Sequence, residues 1–110
     1  MTNKAKKYLF DIQKSIEEIE LVHLKDISSE TDYTSASSTI HRAVERELEI
    51  IGEAAYRLRQ MGTELSAADS LINRRNTIIH QYDSFQPRTI WNFITYQMPA
   101  IHSEVKGLLT

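Results

Sequence analysis

Apolar residues recur along the chain at the three- and four-residue spacing of an amphipathic helix, with polar residues between them. The first series predicts a helix over about residues 3–25, and the second predicts a long helix over roughly 38–61. A third series ends near His80, and a fourth begins at Pro87. The segment 28–38 is rich in Ser, Thr and Asp, whose side chains compete for backbone hydrogen bonds, and it is predicted to be a loop.

Helix ends and one interruption are also visible in the sequence. Gly62 stands where a helix C-terminus often uses glycine. Ser66, followed three residues later by Asp69, predicts an N-cap with its reciprocal acidic partner. Pro99 lies inside the fourth series, where it removes a backbone hydrogen bond and predicts a kink. Four helices with short connections predict an all-α fold, an up-and-down four-helix bundle with a kinked last helix.

Composition narrows the classes of protein that the chain can belong to. A length of 110 residues predicts one domain, 1–110, and three glycines and two prolines are too few for an all-β or Gly-rich nucleotide-binding fold. The absence of cysteine excludes disulfides, thiolate zinc sites and cysteine nucleophiles. No apolar run approaches the roughly 18 residues of a membrane span and no signal peptide is visible, so we expect a cytoplasmic protein without membrane contact. Because the net charge is -2, any contact with nucleic acid must come from a local basic cluster.

Polar side chains are concentrated at the end of the third predicted helix. They are Asn73, Arg74, Arg75, Asn76, His80, Tyr82 and Asp83. A helix advances about 100° per residue, so Asn73, Asn76 and His80 share one face, whereas Arg75 lies about 140° from His80. Arg75 and His80 can meet only if the helix loosens or if two copies of the segment oppose one another across a two-fold axis. The structural alternative is a capping and ion-pair cluster at the end of the bundle.

The segment from Arg75 to Tyr82 resembles the R-x-x-x-x-H-x-Y signature of HepT-like toxins, small helical ribonucleases of the HEPN superfamily. The resemblance extends beyond this signature. Residues 43–55 are similar to the long second helix of the family, residues 8–12 are similar to its opening, and Trp91 falls where the final helix carries an aromatic residue. The fold implied by the resemblance is the HEPN-like bundle, in agreement with the hydrophobic pattern.

The resemblance also implies a chemistry for these residues. In this family the 2′-hydroxyl of the RNA attacks the neighbouring phosphate without a metal ion or cofactor. His80 would move protons, since imidazole exchanges them near neutral pH, and Arg75 would stabilise the negative charge of the phosphorane. Asn76 and Arg74 would position the phosphate. Tyr82 resembles the tyrosine to which a partner MNT-type nucleotidyltransferase antitoxin adds adenylate groups, which would block RNA electrostatically.

Other residues that could bind a metal give weaker signals. Glu49 and Glu53 lie four positions apart on the second helix and could bind a divalent ion or support the site. The simpler interpretation is that they form ion pairs with basic residues on a facing helix, Arg74 or Arg75. Three further histidines lie on three different predicted helices: His23, His41 and His102. We interpret all three as ordinary surface histidines and expect no metal site.

Three hypotheses of function remain at this point. The leading one is a toxin ribonuclease of a type II toxin-antitoxin system, silenced by adenylylation of Tyr82. The second is a non-catalytic module whose cleft binds nucleotide, RNA or the antitoxin, and the third is a dimerising bundle without a site. Because Arg75 and His80 diverge on a regular helix, we expect a two-fold homodimer with the third helix near the axis, or a larger hetero-oligomer with the antitoxin.

Overall fold

The computed structural model describes residues 1–80 and 86–110, and this part of the chain is all-α, without a strand. Its six α-helices are α1 (Asn3–Glu18), α2 (Glu30–Thr34), α3 (Ser38–Gln60), α4 (Ala68–His80), α5 (Pro87–Tyr96) and α6 (Met98–Leu109). A π-helical turn, Ile19–His23, follows α1 directly. Among the described helices, none combines the length and the apolar composition that crossing a membrane requires.

The helices form a bundle around one hydrophobic core. The helix α1 packs against α3 and α6, α3 packs against α4, and α5 packs against α6 and the short α2. The predicted bundle is therefore confirmed, with α5 and α6 together forming its fourth member. The residues that predicted the helical faces are buried in the core, among them Leu9, Ile12, Ile16, Val44, Leu48, Ile51, Leu58, Leu71, Ile90, Phe93, Ile101 and Val105.

The kink predicted at Pro99 is present as a break between α5 and α6. The fourth series divides at Gln97, whose backbone N–H donates to Phe93 O and closes the last turn of α5. Pro99 is the second residue of α6, a position where its missing N–H leaves no helical hydrogen bond unmade. The break lets α5 pack against α2 while α6 packs against α1.

Two predictions at the N-terminal end need correction. The first helix is regular only to Glu18, and its continuation to His23 is a π turn in which Leu24 N donates to Ile19 O. The predicted loop 28–38 contains α2, so that part of the prediction was wrong. The hydroxyl of Ser29 accepts a hydrogen bond from Asp32 N and caps α2.

The short α2 is anchored by a buried aromatic side chain. The ring of Tyr33 is fully buried, stacks on Trp91 at 5.9 Å between centroids, and lies 4.9 Å from the His41 ring. Its hydroxyl is buried without a hydrogen-bond partner in the part of the chain that the structure describes. Burial, followed by the negative charge of Glu45, raises the pKa of this phenol.

The predicted cap of α4 is replaced by long-range contacts. Instead of capping the helix, the Ser66 hydroxyl donates to Glu104 of α6 at 2.8 Å, and its backbone N–H donates to the same carboxylate at 3.2 Å. The carboxylate of Asp69 pairs with Arg59 near the end of α3. Both residues of the predicted capping box thus attach the start of α4 to neighbouring helices.

Candidate active site on α4

Arg75 and His80, the two signature residues that the structure describes, lie on the C-terminal half of α4, which is regular through His80. Asn73, Asn76 and His80 are exposed on the face that helix geometry predicted they share. Arg75 is half-buried and lies about 140° away around the same helix. One chain therefore does not bring Arg75 and His80 together, because the helix does not loosen between them.

Arg75 is held against α3. Its Nη2 lies 3.2 Å from Glu53 Oε2, while the other oxygen of that carboxylate accepts a hydrogen bond from Arg57 Nε at 3.0 Å. The guanidinium carbon of Arg75 is 5.7 Å from the centroid of the Tyr56 ring. Because a guanidinium has five N–H donors, the contact with Glu53 leaves others for a phosphate.

A glycine lies directly beneath Arg75. A Cβ atom added to Gly52 would be 2.3 Å from Arg75 Cβ and 2.8 Å from Leu71 O, both closer than real contacts allow. Gly52 therefore permits the close approach of α3 and α4 at the signature arginine. Gly52 was not among the residues predicted to matter, although an isolated glycine inside a strong helical series is a signal for a packing role.

Arg74 packs against α5, whereas Arg75 packs against α3. Its guanidinium carbon is 4.2 Å from the centroid of the Phe93 ring on α5, and its Nε is buried without a partner among the described residues. Burial lowers the pKa of this guanidinium below its ordinary value. A cleft of about 300 Å³ runs beside it and is lined by Ser70, Asn73, Arg74, Thr77 and Thr89.

The two glutamates of α3 have separate partners. Glu53 pairs with Arg75, as the ion-pair interpretation predicted. Glu49 Oε2 instead lies 3.1 Å from Arg46 Nη1 on its own helix. With each carboxylate facing an arginine, the structure favours the ion-pair interpretation of this pair over a metal site. Tyr82 and Asp83 lie outside the described residues.

A cluster that was not predicted from the sequence lies on the side of α3 that faces α1 and the π turn, whereas Arg75 contacts the side that faces α4. His23 Nε2 is 3.0 Å from Glu47 Oε2, and Glu18 places a carboxylate beside both. The expectation that His23 is an ordinary surface residue was wrong, since its side chain is 21% exposed and bonded. The cluster could not be predicted from residue spacing, because residues 18 and 23 would diverge on a regular α-helix.

The two remaining histidines are half-buried, and each has one hydrogen-bonding partner. His41 Nε2 lies 2.7 Å from Tyr33 O, and His102 Nε2 lies 3.3 Å from Glu17 Oε2. Each has one partner that ties two helices together. Neither belongs to a group of three possible metal ligands among the described residues.

Comparison with known proteins agrees with the signature on α4. A family model described as "Ribonuclease HepT-like" matches residues 12–108. No curated protein and no solved structure gives a significant match. The match includes α3, α4 and all the candidate residues from Glu49 to Tyr82. The chain therefore belongs to the HepT-like ribonuclease family.

Proposed function

We propose that this protein is the toxin ribonuclease of a type II toxin-antitoxin system and that it cleaves RNA at a cleft between two copies of α4. One observation carries the proposal: within the matched family region, Arg75 is fixed against α3 while His80 is exposed at the helix end. A fixed cation and an accessible imidazole are the two groups that cleavage by the RNA's own 2′-hydroxyl requires.

In the proposed reaction, the 2′-hydroxyl oxygen attacks the adjacent phosphorus and the bond to the 5′-oxygen breaks. His80 moves the protons of this exchange, and Arg75 binds phosphate oxygens as the phosphorane gains negative charge. The products are a 2′,3′-cyclic phosphate and a 5′-hydroxyl. These two side chains supply the proton transfer and the charge stabilisation, so the proposed reaction needs no metal ion.

The divergence of Arg75 and His80 supports a dimeric site. Two α4 helices related by a two-fold axis would place two Arg75 and two His80 side chains along one cleft. A single α4 cannot do this, because the two residues lie on different faces of the helix. Asn76 on the exposed face and Arg74 beside its polar cleft would then position the RNA backbone. The dimer interface should exceed about 1,000 Å² in total. A protein that stays monomeric in light scattering at tens of micromolar contradicts this arrangement.

The ribonuclease is tested by incubating the purified protein with RNA in the presence of EDTA. We expect cleavage that leaves a 2′,3′-cyclic phosphate and that is lost in Arg75→Ala and His80→Ala, while helix content and dimerisation remain. Arg88→Ala is a matched control, because this arginine is exposed and pairs with Glu30 of α2 and not with a residue of α3 or α4. Retained RNA binding without cleavage would support a non-catalytic binding module instead. Unfolding of His80→Ala would show that the histidine is structural.

Silencing is proposed to act at Tyr82, two residues beyond His80. An MNT-type nucleotidyltransferase would attach adenylate groups to its phenol oxygen, and each phosphate would compete with RNA for Arg75. Tyr82→Phe should remain toxic but escape labelling by the co-expressed partner. Tyr96→Phe is the matched control, since Tyr96 is 77% exposed and should leave labelling unchanged. Full labelling of Tyr82→Phe would place the acceptor elsewhere.

A further inference from the structure

The cluster of Glu18, His23 and Glu47 offers two carboxylates and one imidazole to a common point. Their ligand atoms all lie within 4.8 Å of one another, and all three side chains are half-buried. We propose that this cluster is a binding site for a divalent transition-metal ion of the Zn²⁺ class, which ties the π turn to α3. The proposal is independent of RNA cleavage.

The π turn creates the first half of this site. His23 is five positions after Glu18, and on a regular α-helix that spacing would turn the two side chains about 140° apart. In the wider turn Ile19–His23 the hydrogen bonds run between residues five apart, as from Leu24 N to Ile19 O at 2.9 Å. In such a turn, two side chains that are five positions apart in the sequence, such as Glu18 and His23, lie close to the same side of the helix.

Glu47 is oriented by a buried hydroxyl. Ser15 is only 3% exposed, and its Oγ donates to Glu47 Oε1 at 3.0 Å. This bond leaves Oε2 directed at His23 Nε2, at 3.0 Å. A hydrogen bond that fixes a ligating carboxylate from behind is the usual support of a metal site, because it holds the other oxygen in place.

The distances and donor types fit Zn²⁺. Ligand atoms about 2.0–2.2 Å from the ion are roughly 3–3.5 Å apart, which His23 and Glu47 already satisfy at 3.0 Å. The ligand oxygen of Glu18 lies within 4.8 Å of the other two ligand atoms, so a side-chain rotation of Glu18 would be needed to close the site around an ion. A cleft of about 390 Å³ gives water access to the two carboxylates and is lined by Asp11, Lys14, Ser15, Glu18, Glu47 and Ile50. An imidazole in the set favours Zn²⁺ over Mg²⁺ or Ca²⁺, which prefer all-oxygen sites.

The site lies apart from the signature residues. Glu47 precedes Glu53 by six positions on α3, which places the two carboxylates about 120° apart around the helix and about 9 Å apart along it. Glu53 faces α4 through Arg75, whereas Glu47 faces α1 and the π turn. A metal ion here would stabilise the contact between α1, the π turn and α3, and would leave Arg75 and His80 to the RNA.

The test is calorimetric titration of the full-length protein with Zn²⁺ after treatment with EDTA and removal of the chelator. We expect one ion per chain and a rise in Tm of on the order of 10 °C at Zn²⁺ a hundredfold above its Kd. Glu18→Gln and His23→Gln should each weaken binding at least about tenfold, and Ser15→Ala should weaken it by about tenfold through the lost orientation. Co²⁺ bound at this site should give visible absorption that His23→Gln abolishes.

A second histidine and glutamate pair in this protein provides the control. His102 and Glu17 are 3.3 Å apart, and His102 is about as buried as His23, but Glu17 is more exposed than Glu47 and the pair has no third ligand among the described residues. His102→Gln should therefore leave Zn²⁺ affinity unchanged. The proposal is overturned if no Zn²⁺ binds, if His23→Gln binds it as well as the wild type, or if His102→Gln weakens binding equally. Mg²⁺ binding as tight as that of Zn²⁺ would also contradict it.

Discussion

Substitution of Gly52 by alanine should destabilise the protein, although alanine is the better helix former. A glycine inside a helix costs about 1 kcal/mol relative to alanine, so propensity alone predicts stabilisation. The added Cβ would, however, lie 2.3 Å from Arg75 Cβ, whereas carbon atoms in contact are about 3.5–4.0 Å apart. Since Leu71 O is also only 2.8 Å away, α3 and α4 must separate by more than about 1 Å.

Forced separation of packed elements costs about 1–3 kcal/mol, and the severity of this overlap places Gly52→Ala near the upper value. After the gain in helix propensity, the net loss is about 1–2 kcal/mol. For a chain of 110 residues, 1 kcal/mol corresponds to about 4 °C in Tm. Gly52→Ala should therefore lower Tm by about 4–8 °C, and it should also reduce RNA cleavage by displacing Arg75.

Thermal unfolding followed by circular dichroism measures this effect, and Gly107→Ala is its matched control. An added Cβ at Gly107 in α6 meets nothing within 4 Å, so this variant should gain up to about 1 kcal/mol and melt at a slightly higher temperature. The two substitutions are chemically identical and should shift Tm in opposite directions. If Gly52→Ala melts at or above the wild-type temperature, the inferred contact between α3 and α4 is not as tight as described.

Three further predictions concern the core and its edges. Burial raises the pKa of Tyr33 in the folded state, so the wild type should lose stability as the pH rises above about 10, the pKa of tyrosine in the unfolded chain. Tyr33→Phe should lose less stability over the same pH range, as measured by urea unfolding at neutral and alkaline pH. Ile51→Ala should cost about 2–5 kcal/mol in urea unfolding, whereas Leu21→Ala, at a side chain 71% exposed, should change stability by less than about 0.5 kcal/mol. Arg74→Lys should cost about 1 kcal/mol because a lysine ammonium does not stack flat on Phe93, and an unchanged urea midpoint would contradict a stabilising contact.

The long helices could be predicted from the sequence because their stability depends on an apolar face that recurs over many turns. The series through Ile51 and Leu58 predicted α3 almost to the residue. The short α2 could not be predicted in this way, since a five-residue helix is not stable alone. It depends on the stacking of Tyr33 on Trp91, which lies far along the chain.

The candidate site was predictable to the extent that it follows from helix geometry. The divergence of Arg75 and His80 required only the regular turn of α4, and the opposite charges of Glu53 and Arg75 anticipated their pairing. The approach of two backbones at Gly52 is a tertiary distance that no local pattern contains. The π turn beside Glu18 is likewise a departure from the regular period on which helix prediction rests.

The break at Gln97 should divide the molecule into parts of unequal local stability. Because α5 packs mainly against α2 and α6, and α2 packs mainly against α5, the pair α2 and α5 can open without disturbing the α1–α3 contact. Their backbone amides should therefore exchange with solvent together, and earlier than those in the middle of α3. Opening of this unit would also separate the Phe93 ring from the Arg74 guanidinium. The cleft beside Arg74 would therefore widen when α5 moves away from α4.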